Sequence, residues 1–176
     1  MKTRWISLFL ITLSPLSLYL LPVIAAQQDK PKDEPKKESR TAYIRRMFEK
    51  DRCSFGDACR MALSLSKGEP TDAPFEEVRK ELAAGGAIDP DWGFEEAALV
   101  TKGTLAYMLC KTLDIRGGVT ARVFGMSRRY AFRECVHLGL LGGRTDMEYV
   151  TGRELIDALA DAEVYKEQGS AESLRK

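Results

Sequence analysis

Three stretches of this chain carry apolar residues in one repeating register. Ala58, Met61, Ala62 and Leu65 stand at i, i+3, i+4 and i+7, and Leu105, Met108, Leu109 and Thr112, then Leu155, Ala158, Leu159 and Ala162, take the same four places. That spacing puts four side chains on one face of a helix. Each stretch also opens alike, with Ser54 and Asp57, Thr101 and Thr104, and Thr151 and Glu154 three residues apart. A hydroxyl at such a place accepts from a backbone N–H of the first turn, and the Thr151–Glu154 pair has the form of a capping box. From Ala58 to Leu105 is 47 residues and from Leu105 to Leu155 is 50. Periods of that size mark stacked helical units that cannot bury their apolar faces alone.

A shorter helix is predicted ahead of each of these. In the middle unit it covers 74–84, with Phe75, Val78 and Leu82 on one face, and Gly85 and Gly86 stop it. Ala87 and Ile88 follow as an apolar return, and then a turn-rich loop over 89–93. In the third unit the helix covers 129–138, with Ala131, Cys135 and Leu138 on a face, followed by Gly139, Leu140, Leu141 and a polar loop over 142–148. In the first unit a helix over 41–50, with Ile44, Met47 and Phe48 apolar, runs almost directly into Ser54. The pattern predicts an all-α domain of three helix-loop-helix repeats at about 41–68, 73–118 and 127–165.

The flanks are of another kind. Lys2 and Arg4 precede an apolar run over 5–21, and Val23 and Ala25 occupy the −3 and −1 positions of a cleavage site. Residues 1–25 therefore read as a secretory signal peptide, set aside from fold reasoning, with an uncleaved anchor as the alternative. Residues 26–40 alternate charges around Pro31 and Pro35 and contain no aromatic or branched apolar side chain, the composition of a disordered charged linker. Residues 168–176 are polar and read as a disordered tail, which leaves 41–167 for the folded domain.

Charge and cysteine content narrow the chemistry. The formal net charge of +1 becomes −1 once Lys2 and Arg4 leave with the signal, so no nucleic-acid partner is implied. An exported chain permits disulfides, and Cys53, Cys59, Cys110 and Cys135 allow three complete pairings among which spacing does not choose. Buried thiols are the alternative, since Cys59 and Cys110 lie in predicted helices and Cys135 faces the core. There is no CxxC knuckle, and His137 is two residues from Cys135, a poor angle on one helix, so no metal site is expected. GxSxG, HExxH and Walker-type loops are absent, and the glycines at 117, 118, 142 and 143 read as helix stops and turns. The chain is expected to be noncatalytic and to need no cofactor.

The run LAAGGAIDPDWGFEEAALVTKGTLAYMLCKTLDI resembles the S-layer homology repeat, in which a helix ends in a Gly-Ile-type return and a Thr-Arg-Ala-Glu-like capping turn opens the next helix. CSFGDACRMAL and YVTGRELIDAL resemble the same capping turn in degenerate form. The resemblance implies a compact pseudo-threefold triplet, attached noncatalytically to a cell-wall polysaccharide or peptidoglycan-associated polymer through grooves between repeats. It also implies that the basic residue of the capping motif engages an acidic sugar substituent beside a helix N-terminus. That residue falls on Lys102 in the middle unit, on Phe55 in the first and on Gly152 in the third, with Arg153 one place later. Capping, through Ser54, Thr101 and Thr151, is better kept than ligand contact.

Two further features are candidates for ligand contact. Trp92, near Asp89 and Asp91, is suited to stacking on a sugar, or else to covering the end of the core. Arg128 and Arg129, with Tyr130 and Arg133, form the densest basic cluster, at a helix start where positive charge opposes the macrodipole. His137 carries no evident chemistry. The expectation is a protein of the periplasm or cell envelope that binds a cell-wall glycan; the alternative is an envelope protein-interaction scaffold that kept the fold and lost the sugar site.

Overall fold

The computed structural model describes residues 39–173; the expected signal peptide and the linker up to residue 38 lie outside the described residues. Helices account for the regular structure: α1 (Arg40–Phe48), α2 (Phe55–Lys67), α3 (Phe75–Ala84), α4 (Lys102–Thr112), α5 (Val119–Phe124), α6 (Arg128–His137) and α7 (Gly152–Ser173). Two isolated antiparallel bridges, Ser54 with Leu99 and Thr101 with Tyr149, join the segments that lead into α2, α4 and α7.

The three apolar registers are the inner faces of α2, α4 and α7. Ala58, Met61, Ala62 and Leu65 are buried, as are Leu105, Met108 and Leu109, and Leu155, Ala158, Leu159 and Ala162. Burial of each Leu or Met among them stabilises the fold by about 2 kcal/mol. Phe55, Val100 and Val150 extend the same core toward the helix starts. In helix pairing, α4 packs on α6, α2 on α3 and α7 on α1, while α2 also touches both α4 and α7.

Helices α3, α4 and α6 end in one way. Gly86, Asp114 and Gly139 turn to positive φ, and the next N–H, of Ala87, Ile115 or Leu140, donates to a carbonyl five residues back at Leu82, Cys110 or Cys135. This left-handed stop satisfies the last carbonyls and folds an apolar residue back onto the core. Ala87, Ile88, Leu140 and Leu141 are buried, so the apolar returns read from the sequence do what their pattern predicts.

Three boundaries differ from the sequence reading. The linker stops short of residue 40, because Ser39 caps α1 by accepting from the Ala42 N–H at 3.2 Å. The tail is helical through Ser173, since Glu167, Gln168 and Ala171 favour continuation and no proline intervenes. Helix α5 was not foreseen; it is opened by Gly118, whose N–H donates to Glu134 Oε1 at 2.7 Å, and closed by Gly125 at φ +82°.

Candidate functional site

The starts of α2, α4 and α7 meet at one apex. Cys53 donates its N–H to the Val150 carbonyl (2.8 Å), Val150 donates to Val100 (3.1 Å), and Val100 donates to Cys53 (3.1 Å), closing a ring. Each ring residue stands immediately before one of Ser54, Thr101 and Thr151. Just outside the ring, the N–H groups of Phe55, Lys102 and Gly152 donate to Ala98, Glu148 and Lys50.

The caps form as their sequences predict. Ser54 Oγ accepts from the Asp57 N–H and Asp57 Oδ2 accepts from the Ser54 N–H, a reciprocal box; Thr151 and Glu154 repeat it. Thr101 Oγ1 accepts from the Thr104 N–H at 3.3 Å, but Thr104 offers no carboxylate in return. Gly56 and Gly103 donate their N–H groups to the carbonyls of Glu96 and Asp146. The first-turn N–H groups at 55–57 and 102–104 are thus spent within the protein. An anion seated directly on either helix start would have to displace these bonds.

Lys102 is 5 % exposed and its Nζ lies 2.8 Å from both Glu148 Oε2 and Glu154 Oε1. Burial alone would lower its pKa; the two carboxylates outweigh that and raise it. Glu154 is held below the usual glutamate value: burial opposes ionisation, but Lys102 and Thr151 more than compensate. Lys50 plays a related part at the first helix start, with Nζ 2.8 and 2.7 Å from the two oxygens of the buried Asp57. Both lysine cations are thus engaged by carboxylates of the domain itself.

Trp92 is half-buried against the core end, its ring centroid 6.3 Å from that of Phe55, 5.6 Å from Phe94 and 5.1 Å from Tyr107. Its carbonyl accepts from Arg79 Nη2 at 2.7 Å. The exposed Arg128 sets its guanidinium 5.7 Å from the Trp92 ring centroid, a cation–π contact between α6 and the loop before α4. The two are also close to the start of α4, since a Cβ added at Gly103 would lie 3.4 Å from Arg128 Cβ. Trp92 and Arg128 therefore come together beside Lys102, whose own cation is engaged elsewhere. Arg129 is exposed on α6, and Arg153 stacks 4.3 Å over the Phe48 ring on α1.

Sequence reasoning missed an open cleft of about 710 Å³ in front of the first helix start. Arg46, Arg52 and Arg60 line it together with Asp57, Asp72 and Glu96. Arg60 pairs with Glu96, and Arg52 lies 5.0 Å from the centroid of the Tyr149 ring. The signal was present in the basic residues at 45, 46, 50 and 52, but interleaved Glu49 and Asp51 make the run look like a solvated face.

No family model, curated protein or solved structure matches the chain. Among the described residues, no group of three or more His, Cys, Asp and Glu side chains is placed to hold a metal ion, and no helix is long and apolar enough to cross a membrane.

Proposed function

We propose that residues 39–173 form a noncatalytic binding module of a bacterial cell envelope, made of three degenerate helix-loop-helix repeats about a pseudo-threefold apex, and that it attaches to a cell-wall glycan or peptidoglycan-associated polymer. The observation that carries the repeat reading is the closed ring of Cys53, Val100 and Val150, each one residue before a capped helix. The cyclic pairing of α2 with α3, α4 with α6 and α7 with α1 supports it, because each repeat's second helix then packs on the first helix of the next. The S-layer homology resemblance, which implies a compact pseudo-threefold triplet, favours the same reading.

The glycan site on this reading is the open cleft rimmed by Arg46, Arg52 and Arg60, with the Arg128–Trp92 pair as a second contact point. A cleft of about 710 Å³ has room for a short oligosaccharide, and guanidinium groups suit carboxylate-bearing sugars through paired hydrogen bonds. The test is co-sedimentation of the secreted chain with purified sacculi. Retention that falls severalfold in Arg52→Ala or Arg128→Ala, both exposed positions, supports the site, whereas wild-type recovery equal to that of a heat-unfolded control refutes glycan attachment.

A second reading, an envelope scaffold that kept the fold and lost sugar binding, is favoured by one specific observation. The one motif cation retained, Lys102, is committed to Glu148 and Glu154, and the apolar Leu99, Met147 and Tyr149 are exposed beside the apex. Crosslinking in cells separates the readings: a discrete protein adduct without sacculus binding selects the scaffold.

A further inference from the structure

Helices α4 and α6 cross through small residues. Ala106 and Cys110 on α4 and Ala131 and Cys135 on α6 are all at most 1 % exposed, and each pair is one helical turn apart. Small side chains let the two backbones approach closely enough for each sulfur to reach the opposite main chain. Cys110 Sγ lies 3.8 Å from the Ala131 carbonyl oxygen, and Cys135 Sγ lies 3.6 Å from that of Ala106. The two sulfurs face each other at 3.6 Å.

We propose that Cys110 and Cys135 are a disulfide-forming pair that staples α4 to α6, while Cys53 and Cys59 remain thiols. All four cysteines carry free thiols in the structure, and among the described residues the thiol–thiol contact is between Cys110 and Cys135. A disulfide requires an S–S distance of about 2.0 Å, so the sulfurs need to close by roughly 1.6 Å. The helices already supply the approach. Cys53 sits in the ring at the apex and Cys59 on α2, each buried, with pKa pushed up to about 12 chiefly by burial. Each therefore stands on an element other than α4 and α6, outside the crossing that seats Cys110 against Cys135.

The oxidant is a small-molecule or protein disulfide. One cysteine thiolate attacks it, forming a mixed disulfide and expelling one thiolate; the second cysteine thiolate then attacks the protein sulfur of that mixed disulfide and expels the other. Both cysteines are oxidised, the reagent disulfide is reduced to two thiols, and the two protons from Cys110 and Cys135 end on those thiols. In the folded domain the neighbouring Cys110 sulfur, and then burial, hold the Cys135 thiol well above its ordinary range. Attack on the reagent therefore needs α6 to part from α4, and their re-docking sets the two sulfurs together for the second step. The inference needs an oxidising compartment, but it is independent of any glycan site.

The test is refolding of the full chain from the reduced, denatured state in a glutathione redox buffer, followed by alkylation and digestion without reduction. The expected product is one peptide pair joining Cys110 to Cys135, two hydrogen masses lighter than the separate peptides, with Cys53 and Cys59 alkylated. The bridge spans 25 positions, and its reduction should lower Tm by about 10 °C in the wild type and by nothing measurable in Cys135→Ala. Four alkylated cysteines, or any bridge that includes Cys53 or Cys59, overturns the assignment. Sacculus binding bears on neither outcome.

Discussion

Lys102 Nζ lies 2.8 Å from Glu154 Oε1, so the cation at the first position of α4 is held by the capping carboxylate of α7. Glu154 meanwhile accepts from the Thr151 N–H and hydroxyl, and Lys102 also reaches Glu148. One ammonium thereby ties two helix starts and a loop together. Replacing it with methionine keeps much of the packing but leaves two carboxylates facing each other across a half-buried site. Lys102→Met should cost about 2 kcal/mol, less than a fully buried pair because both glutamates retain some solvent. Urea unfolding measures it; a loss under about 0.5 kcal/mol would show that the pair is as weak as an exposed one.

Gly152 makes the complementary point from sterics. Its N–H donates to the Lys50 carbonyl at 2.9 Å, and a Cβ built on it would overlap the carbonyl oxygen of Met47. No side chain fits where the C-terminal end of α1 approaches the start of α7. Gly152→Ala should therefore destabilise by about 3 kcal/mol or separate α1 from α7. Gly68 offers the contrast: its surroundings are open, but its φ is +79°. Gly68→Ala should cost about 1 kcal/mol, for backbone strain alone. Denaturation midpoints of the two variants, measured together, separate clash from strain; equal losses would contradict the close contact at Gly152.

These residues show which parts of the molecule were legible in the sequence. The helices and their caps were, because Ser54, Thr101 and Thr151 act within one turn and the apolar registers act within one helix. Gly152, where the S-layer homology resemblance expects a cation, reads in the sequence as a lost ligand contact; the structure shows that a Cβ there would overlap the carbonyl oxygen of Met47, a residue 105 positions away in the chain. Lys102 misled for the same reason: a cation beside a cap looks available until the long-range Glu148 and Glu154 are placed around it. The cleft beside Arg52 was hidden because its lining joins residues near 50 with Asp72 and Glu96. Pairing across such separations leaves no periodic trace in one sequence.

Acid should weaken the domain through its capping carboxylates. Asp57 is 4 % exposed, and burial opposes its ionisation, yet Lys50 and the Ser54 N–H and hydroxyl hold its pKa below the ordinary 3.8. Glu154 is likewise held below 4.5. A carboxyl with a depressed folded pKa contributes stability above its unfolded value and loses it as pH falls through the folded one. Stability should accordingly decline from near pH 4.5 for Glu154 and below 3.8 for Asp57. Lys102 has the opposite sign: its pKa is raised above 10.5, so its contribution is complete below that value and disappears as pH rises beyond it. Asp57→Asn should cost about 2 kcal/mol near neutral pH and flatten the acid limb. Urea midpoints followed from neutral pH into acid check this, and an acid limb identical to wild type would remove Asp57 from the account.

Trp92 and Arg128 separate stability from binding, because one contact joins a half-buried ring to an exposed cation. Trp92 is packed against Phe55, Phe94 and Tyr107, and its removal opens the end of the core. Trp92→Ala should cost about 3 kcal/mol whatever the domain binds, so reduced sacculus retention in that variant alone would not locate a ligand. Arg128→Ala leaves the aromatic cluster in place and should cost no more than about 1 kcal/mol for the lost cation–π contact. Its effect on retention therefore reports on ligand contact. The proposed binding role requires Arg128→Ala to weaken retention at a temperature where its circular dichroism and melting midpoint remain close to wild type. Unchanged retention in that variant and in Arg52→Ala would remove both cations from the binding surface and shift the weight of argument to the scaffold reading.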